Sequence, residues 1–197
     1  MAVKSSFKNM TLCLLAICLV CSSLLAGVYW LTEEPIAKAA AAKNEAAIKE
    51  VLPETAVTIE EERTVEMEGE NYTYNLAYDQ LGNTVGCAIN VSALGFGGPI
   101  NVKVGFDIDG VICNTKVLSQ AETPGLGAKC VEPAFSDQFK GFDPAKKNLA
   151  VKKDGGDVDA ITASTITSRA YANALSTAVK VFQTIGQTPM PLNNMEE

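Results

Sequence analysis

The residues best placed to do chemistry lie in the segment Asp159-Ala-Ile-Thr-Ala-Ser-Thr-Ile-Thr-Ser168. It offers Thr162, Ser164, Thr165, Thr167 and Ser168 where a loop runs into an amphipathic stretch. The first turn of a helix leaves backbone N–H groups unpaired and carries a partial positive charge, so such a start favours a phosphate or another anion. The same residues also read as an overbuilt cap, one hydroxyl capping and the others facing water. Two glycine-rich segments precede it. In Glu122-Thr123-Pro124-Gly125-Leu126-Gly127, Pro-Gly sets a turn and Gly127 lets the backbone approach a flat ligand. In Gly95-Phe-Gly-Gly98-Pro99-Ile100 the glycine spacing matches neither a phosphate-binding loop nor a dinucleotide fingerprint. Taken singly, each segment is also a plain turn.

Several chemistries are excluded by what the chain lacks. It has no histidine, which removes imidazole as a base, as a partner for a serine or cysteine nucleophile, and as a metal ligand. Cys13, Cys18 and Cys21 fall in an apolar run, where thiols behave as small apolar side chains. Cys87, Cys113 and Cys130 are widely spaced and odd in number, which indicates neither a C-x-x-C metal site nor a complete disulfide framework. Lys4 and Lys8 are the only charges before Glu33, so the −7 of the whole chain becomes −9 beyond them. Such a surface repels nucleic-acid phosphates and gains nothing from counterion release, so no nucleic-acid partner is expected.

The elements that must position these residues begin with an anchor. Met10 to Leu31 is twenty-two residues without a charge, and at about 1.5 Å per residue a helix of that length crosses a bilayer core of roughly 30 Å. A signal peptide cleaved after Ala26 is the rival reading and would make the protein secreted. Retention is favoured by the length of the run, by Tyr29 and Trp30 as an interfacial aromatic belt, and by the lack of a lipobox cysteine after Ala26 or Gly27. Lys4 and Lys8 precede the run and Glu33 and Glu34 follow it, so the positive-inside rule leaves the N-terminus cytoplasmic and the bulk of the chain outside.

Beyond the anchor, Thr32 reads as the cap of a second helix over residues 33–52, ended by Pro53. The acidic stretch Glu60 to Glu70 reads as a solvated edge strand or loop. Residues 72–78, 84–92, 100–108 and 111–118 alternate apolar with polar or are rich in β-branched residues, and Leu81-Gly82-Asn83 and Asp109-Gly110 supply turns, giving an antiparallel meander. Pro133 interrupts a short or kinked helix over 126–140. Tyr171, Leu175, Ala178, Val179 and Phe182 line one face of a helix over 167–183, closed by Gly186 and Pro189 before a polar tail.

The ordered set GFGGPI, ETPGLG and DAITASTITS, behind one anchor followed by Thr32-Glu-Glu-Pro-Ile36, resembles a specific family. It is similar to the RnfG family, the G component of Rnf-type ferredoxin:NAD electron-transport complexes, which is related to the C component of the sodium-translocating NADH:quinone oxidoreductase. That family esterifies the phosphate of FMN to the threonine of an [S/T]-G-A-T-x-[S/T] motif preceded by an aspartate. The resemblance places the motif at Thr162-Ala163-Ser164-Thr165-Ile166-Thr167, the acceptor at Thr165 and the aspartate at Asp159. Ala163 stands where the motif has glycine and would be strained if that position needs a positive φ. Ser164 replaces the motif's alanine and is a competing hydroxyl. Gln120 stands where histidine is often seen before ETPGLG.

The resemblance implies covalent FMN as cofactor and an α+β fold, a transmembrane helix followed by an FMN-binding domain of antiparallel strands packed with helices. The expected divisions are a cytoplasmic N-terminus (1–9), a transmembrane helix (10–31), a helical linker and edge (32–70), the FMN-binding domain (71–188) and a polar tail (189–197). It implies cofactor contacts from Glu122, Thr123, Leu126, Gly127, Thr162 and Ser164, with Gly98, Pro99 and Ile100 on the opposite side. A threonine hydroxyl is a weak nucleophile without a base, so the resemblance implies a magnesium-dependent flavin transferase that takes FMN from FAD and reads Asp159. The chain would not turn over a substrate alone. It would relay electrons between the other membrane subunits of an ion-translocating ferredoxin:NAD⁺ oxidoreductase. A cofactor-free, membrane-anchored binding or assembly module, its hydroxyls merely capping, is the alternative from another class.

Overall fold

The structure is a computed structural model that describes residues 7–187. Lys4 and the tail from Pro189 lie outside the described residues. The chain divides into two compact units between Lys43 and Asn44. The first unit is helical: helix α1 (Phe7–Val51) begins in it and carries a window of mean hydropathy 2.5 with no part of that window buried. The expected restart at Thr32 does not occur. Its hydroxyl donates to the Val28 carbonyl at 2.8 Å, one turn back, and Pro35 sits inside the helix. A threonine that bonds its i−4 carbonyl is a helix-interior residue rather than a cap. The helix ends at Val51, ahead of Pro53.

The second unit is built on a six-stranded antiparallel sheet. Its strands are β1 (Thr58–Ile59), β2 (Arg63–Met67), β3 (Glu70–Tyr78), β4 (Thr84–Leu94), β5 (Pro99–Asp107) and β6 (Ile112–Ser119). They run in the order β1-β3-β4-β5-β6, with β2 also paired to β3. The four strands expected from alternation are present to within two residues at each end. The acidic stretch contributes a further hairpin: Met67 faces Glu70 across Glu68-Gly69, both at positive φ (55° and 84°). Two left-handed residues in a two-residue loop match the right-handed twist of the flanking strands. The sheet therefore starts before residue 71, and the end of α1 also belongs to this unit.

After β6 come two short 3-10 turns, Gly127–Val131 and Asp137–Phe139, on either side of helix α2 (Pro133–Ser136). Helix α3 (Thr165–Gln187) closes the described chain. Pro133 opens α2 rather than interrupting a helix, as a first-turn proline does because its missing N–H would be unpaired there anyway. Gly186 lies within α3 rather than ending it.

The core lies between α3 and one face of the sheet. Leu76, Cys87, Ile89, Val91, Val102, Val104 and Phe106 are buried against Tyr171, Ala174, Leu175, Ala178 and Val181. Tyr171 is fully buried. Its ring stacks on Phe139 with centroids 5.2 Å apart, meets Phe135 edge-on, and its hydroxyl donates to Thr115 Oγ1 at 2.9 Å. That bond satisfies a polar atom that would otherwise be costly at such depth. Phe106 and Phe182 stack at 5.1 Å further along the helix. On the reverse face, Ile48, Val51 and Leu52 pack against Ala77 and Ala88. Gly105 makes this approach feasible: a Cβ there would lie 1.9 Å from the Val51 carbonyl oxygen.

The reverse face also holds a buried cation. Lys103 of β5 is completely buried, and its ammonium donates to Asn75 Oδ1 at 3.3 Å. Its cross-strand neighbours are Asn90, which donates to Glu62 and Thr73, and Lys116, which is paired with Glu50. Burial lowers its pKa to about 8 against a smaller opposing pull from Glu62. The charged form is therefore disfavoured in the fold. Below pH 8 that penalty is present in full, and it is relieved as pH rises from 8 toward the unfolded value of 10.5. Lys103→Met removes this titration. Between pH 7 and about pH 10.5, wild-type stability should gain on the variant by about 3 kcal/mol, at roughly 1.4 kcal/mol per pH unit. Urea titrations of both proteins across that range check it, and parallel pH profiles would refute it.

Candidate functional site

Three segments far apart in sequence meet at the N-terminus of α3. The tip between β4 and β5 is a tight loop in which Gly95 N–H donates to the Gly98 carbonyl, leaving Phe96 exposed at the apex. In the second segment Leu126 N–H donates to the Thr123 carbonyl across Pro124-Gly125, with Gly125 at φ 78°, the left-handed third position that this turn type requires. The third is the turn before α3, where Ser164 N–H donates to the Ile161 carbonyl across Thr162-Ala163. Ser168 clamps that turn to the helix: its hydroxyl accepts from Ile161 N–H at 2.9 Å and donates to the Ser164 carbonyl at 3.0 Å.

Glu122 ties the three segments together. It is buried, one carboxylate oxygen accepts from Gly97 N–H at 3.0 Å, and the other accepts from the Thr167 hydroxyl at 2.6 Å. Its own N–H donates to Gln120 Oε1 at 2.6 Å, so Gln120 sets the backbone of the clip. Space around the carboxylate depends on Gly127, where a Cβ would lie 2.3 Å from Glu122 Oε2 and 2.6 Å from Thr167 Oγ1.

These segments enclose a cleft of about 400 Å³ lined by Phe96, Glu122, Thr123, Leu126, Gly127 and residues 163–167. Its size is that of a small-molecule site. Apolar side chains stand at its mouth, with Phe96, Leu126 and Ile166 all exposed. Thr165 is half-buried and is the first residue of α3. Ser164 is buried, and its hydroxyl oxygen has no hydrogen-bond partner.

Of the residues expected from sequence, Glu122, Thr123, Leu126, Gly127, Ser164 and Thr165 line this one cleft. Thr162 is exposed in the turn just before it. Gly98, Pro99 and Ile100 do not line it. Pro99 and Ile100 already belong to β5, and Ile100 is buried in the core opposite Ala93, so the segment reaches the cleft through Phe96 and Gly97 instead. Asp159 is exposed and paired with Lys152 at 2.7 Å, and its backbone is held on both sides by the Gln138 side chain. A bidentate pair from Arg169 to Asp154 braces the same loop against α3 and holds the Asp154 carboxyl below the usual range. Thr167, one of the hydroxyls that the sequence offers at the helix start, serves the site through its bond to Glu122. Its signal was its place one turn from a small-residue loop, but a bond to a carboxylate forty-five positions away cannot be seen in a linear reading.

The cysteines are unpaired among the described residues. Burial pushes Cys87 up to about 12 and Cys113 and Cys130 up to about 11, with the Glu122 charge adding to the shift at Cys130. All three remain protonated and unreactive near neutrality. Among the described residues, no group of cysteine, aspartate and glutamate side chains is placed to hold a metal.

A family model described as an FMN-binding domain matches residues 95–180, and one described as the RnfG N-terminal region matches residues 1–51. The G component of the ion-translocating oxidoreductase complex of Methanosarcina acetivorans is 35% identical over 164 residues, covering 81% of this chain and 86% of that protein. The protein of the same description from Escherichia coli is 42% identical over 97 residues, just under half of each chain. Among solved structures, NqrC of Shewanella oneidensis aligns with a TM-score of 0.49 at 23% identity, over 66% of this chain and 69% of that one.

Ala163 adopts φ 62°, a left-handed conformation that favours glycine. The side chain costs about 1 to 2 kcal/mol there. Ala163→Gly should therefore raise stability by about 0.5 to 1 kcal/mol, the relief of strain being partly offset by the greater freedom of glycine in the unfolded chain. Thermal unfolding measures this, and a lower melting temperature would show that the turn tolerates alanine without strain.

Proposed function

We propose, for a chain that belongs to the RnfG family of ion-translocating oxidoreductase complex components, that FMN is carried as a phosphoester on Thr165 and that the chain relays electrons between membrane partner proteins. The observation that carries this reading is the position of Thr165, a half-buried hydroxyl residue at the first position of α3 and on the wall of the cleft. The residues present fit such a group. The helix start offers unpaired N–H groups for the phosphate, Ser164 brings a buried hydroxyl without a partner, and Leu126 and Ile166 give apolar surface for a flat ring.

Bound FMN supplies one- and two-electron redox chemistry, and the protein supplies position and shielding. Thr165 holds the phosphate end, and Leu126 and Gly127 form a close wall. Thr123 offers a polar contact at the mouth, and Phe96 stands where the glycine-rich tip meets the cleft. Glu122 holds the walls in place, its oxygens already engaged by Gly97 and Thr167.

That engagement bears on maturation. The chain has no histidine, and the carboxylate lining the cleft is occupied, so Thr165 has no base of its own. Attachment forms one P–O bond to Thr165 Oγ, breaks the pyrophosphate bond of FAD and releases AMP. The threonine proton passes to a base on a flavin transferase. Exposed Asp159, fixed by Lys152 and Gln138, is the recognition point offered to that enzyme.

Made together with its transferase, the wild-type chain should give a flavin-fluorescent band on a denaturing gel. Thr165→Ala should abolish the band while costing no more than about 2 kcal/mol of stability, the range for losing a hydroxyl at a helix start. A dark wild-type band, with the transferase active on a control, would sink the flavoprotein reading. Loss of label in Ser164→Ala with retention in Thr165→Ala would move the attachment one residue.

The lysines before the apolar run and the glutamates after it support a cytoplasmic N-terminus and an extracytoplasmic domain. Protease added to intact spheroplasts should then digest the domain, and full protection would reverse the orientation.

A further inference from the structure

We propose that the start of α3 is a phosphate subsite of the unmodified chain, in which the Ser164 hydroxyl donates to a phosphate oxygen before any bond to Thr165 forms. This rests on the reading of the cleft as a flavin site, and it makes the separate claim that the chain alone recognises the phosphate end of a flavin nucleotide.

Ser164 occupies the N-cap position, since its carbonyl accepts the first intrahelical bond, from Ser168 N–H at 3.0 Å. A serine there ordinarily turns its hydroxyl oxygen onto an N–H of the first turn. Ser164 does not. The residue is only 6% exposed, its hydroxyl oxygen has no hydrogen-bond partner, and it lies on the wall of the cleft. Two consequences follow from this one rotamer. The first-turn N–H groups of Thr165, Ile166 and Thr167 are left without a serine cap and have no intrahelical acceptor. A buried O–H donor is left facing the same end of the helix. A group with several acceptor oxygens and negative charge satisfies both, and a phosphate is such a group.

The neighbouring side chains do not compete for that position. Glu122 has its oxygens on Gly97 and Thr167, and the Ser168 hydroxyl is spent on Ile161 and on the Ser164 carbonyl.

The test uses the full chain made without a transferase, in detergent, titrated with FMN and with riboflavin, which lacks the phosphate. FMN should bind more tightly than riboflavin, and inorganic phosphate should displace it. Ser164→Ala should weaken FMN about tenfold or more, the worth of one hydrogen bond to a charged group, and leave riboflavin unchanged. Equal loss for both ligands, or no loss for FMN, overturns the subsite. Thermal melting supplies a second readout: the variant should melt no lower than wild type, because the hydroxyl has no protein partner to lose, and a clearly lower melting temperature also overturns it. Covalent labelling is scored separately. A fluorescent band with unaltered FMN affinity in Ser164→Ala removes the subsite and leaves Thr165 standing. Phosphate-dependent binding without a labelled band does the reverse.

Discussion

The buried carboxylate of Glu122 is the contact on which the geometry of the cleft depends. One oxygen is held by the Gly97 amide of the β4–β5 tip and the other by the Thr167 hydroxyl of α3, while the residue itself sits in the loop after β6. A carboxylate taken out of water is tolerated only when hydrogen bonds compensate it, so the three segments are constrained to stay where their donors reach it. The glycines at 95 and 127 follow from the same constraint, because a Cβ at either would fall within 2.3 Å of a Glu122 oxygen. The glycine-rich character of both loops is thus a requirement of the carboxylate as much as of any ligand.

The rest of the domain serves to hold α3 against the sheet so that its first turn arrives beside that carboxylate. Tyr171 lies one turn beyond Thr167 and is locked by Phe135, Phe139 and Thr115. The helix cannot slide or rotate without unstacking those rings and stranding the Tyr171 hydroxyl. On the opposite face the last turn of α1 rests on Gly105, and the polar row that includes Lys103 and Asn90 lies on the same side. The sheet therefore separates an apolar, rigid layer that positions the cleft from a mixed layer that receives the end of α1.

Much of this was legible in the sequence because it depends on short-range periodicity. The strands alternate, the face of α3 repeats at helical spacing, and Pro124-Gly125 announces its turn. What sequence reading missed depends on contacts across the fold. The hairpin at Glu68-Gly69 lies in a stretch of like charges whose polarity hid its alternation, and only pairing with β3 makes it a strand. Thr32 looked like a cap because it follows an apolar run and precedes Pro35, yet its hydroxyl can equally turn back on the Val28 carbonyl, and a continuous helix makes that choice. The resemblance implies ligand contacts from Pro99 and Ile100, but Ile100 lies in the strand that the sequence already places over 100–108, and alternation along β5 turns it into the core. At Ala163 the sequence raises only the question of a positive φ, through the resemblance to a motif with glycine there, and the structure answers it with φ 62°.

The features that make the cleft a steady platform also make it chemically passive. No histidine is present to move a proton, the carboxylate lining the cleft is committed to structural hydrogen bonds, and burial holds the three domain thiols in their protonated form. Thr165 lies in these surroundings, half-buried at the start of α3. Passivity is an advantage for an electron carrier, because a site with no proton-transfer group or thiolate of its own offers few side reactions to a reactive cofactor.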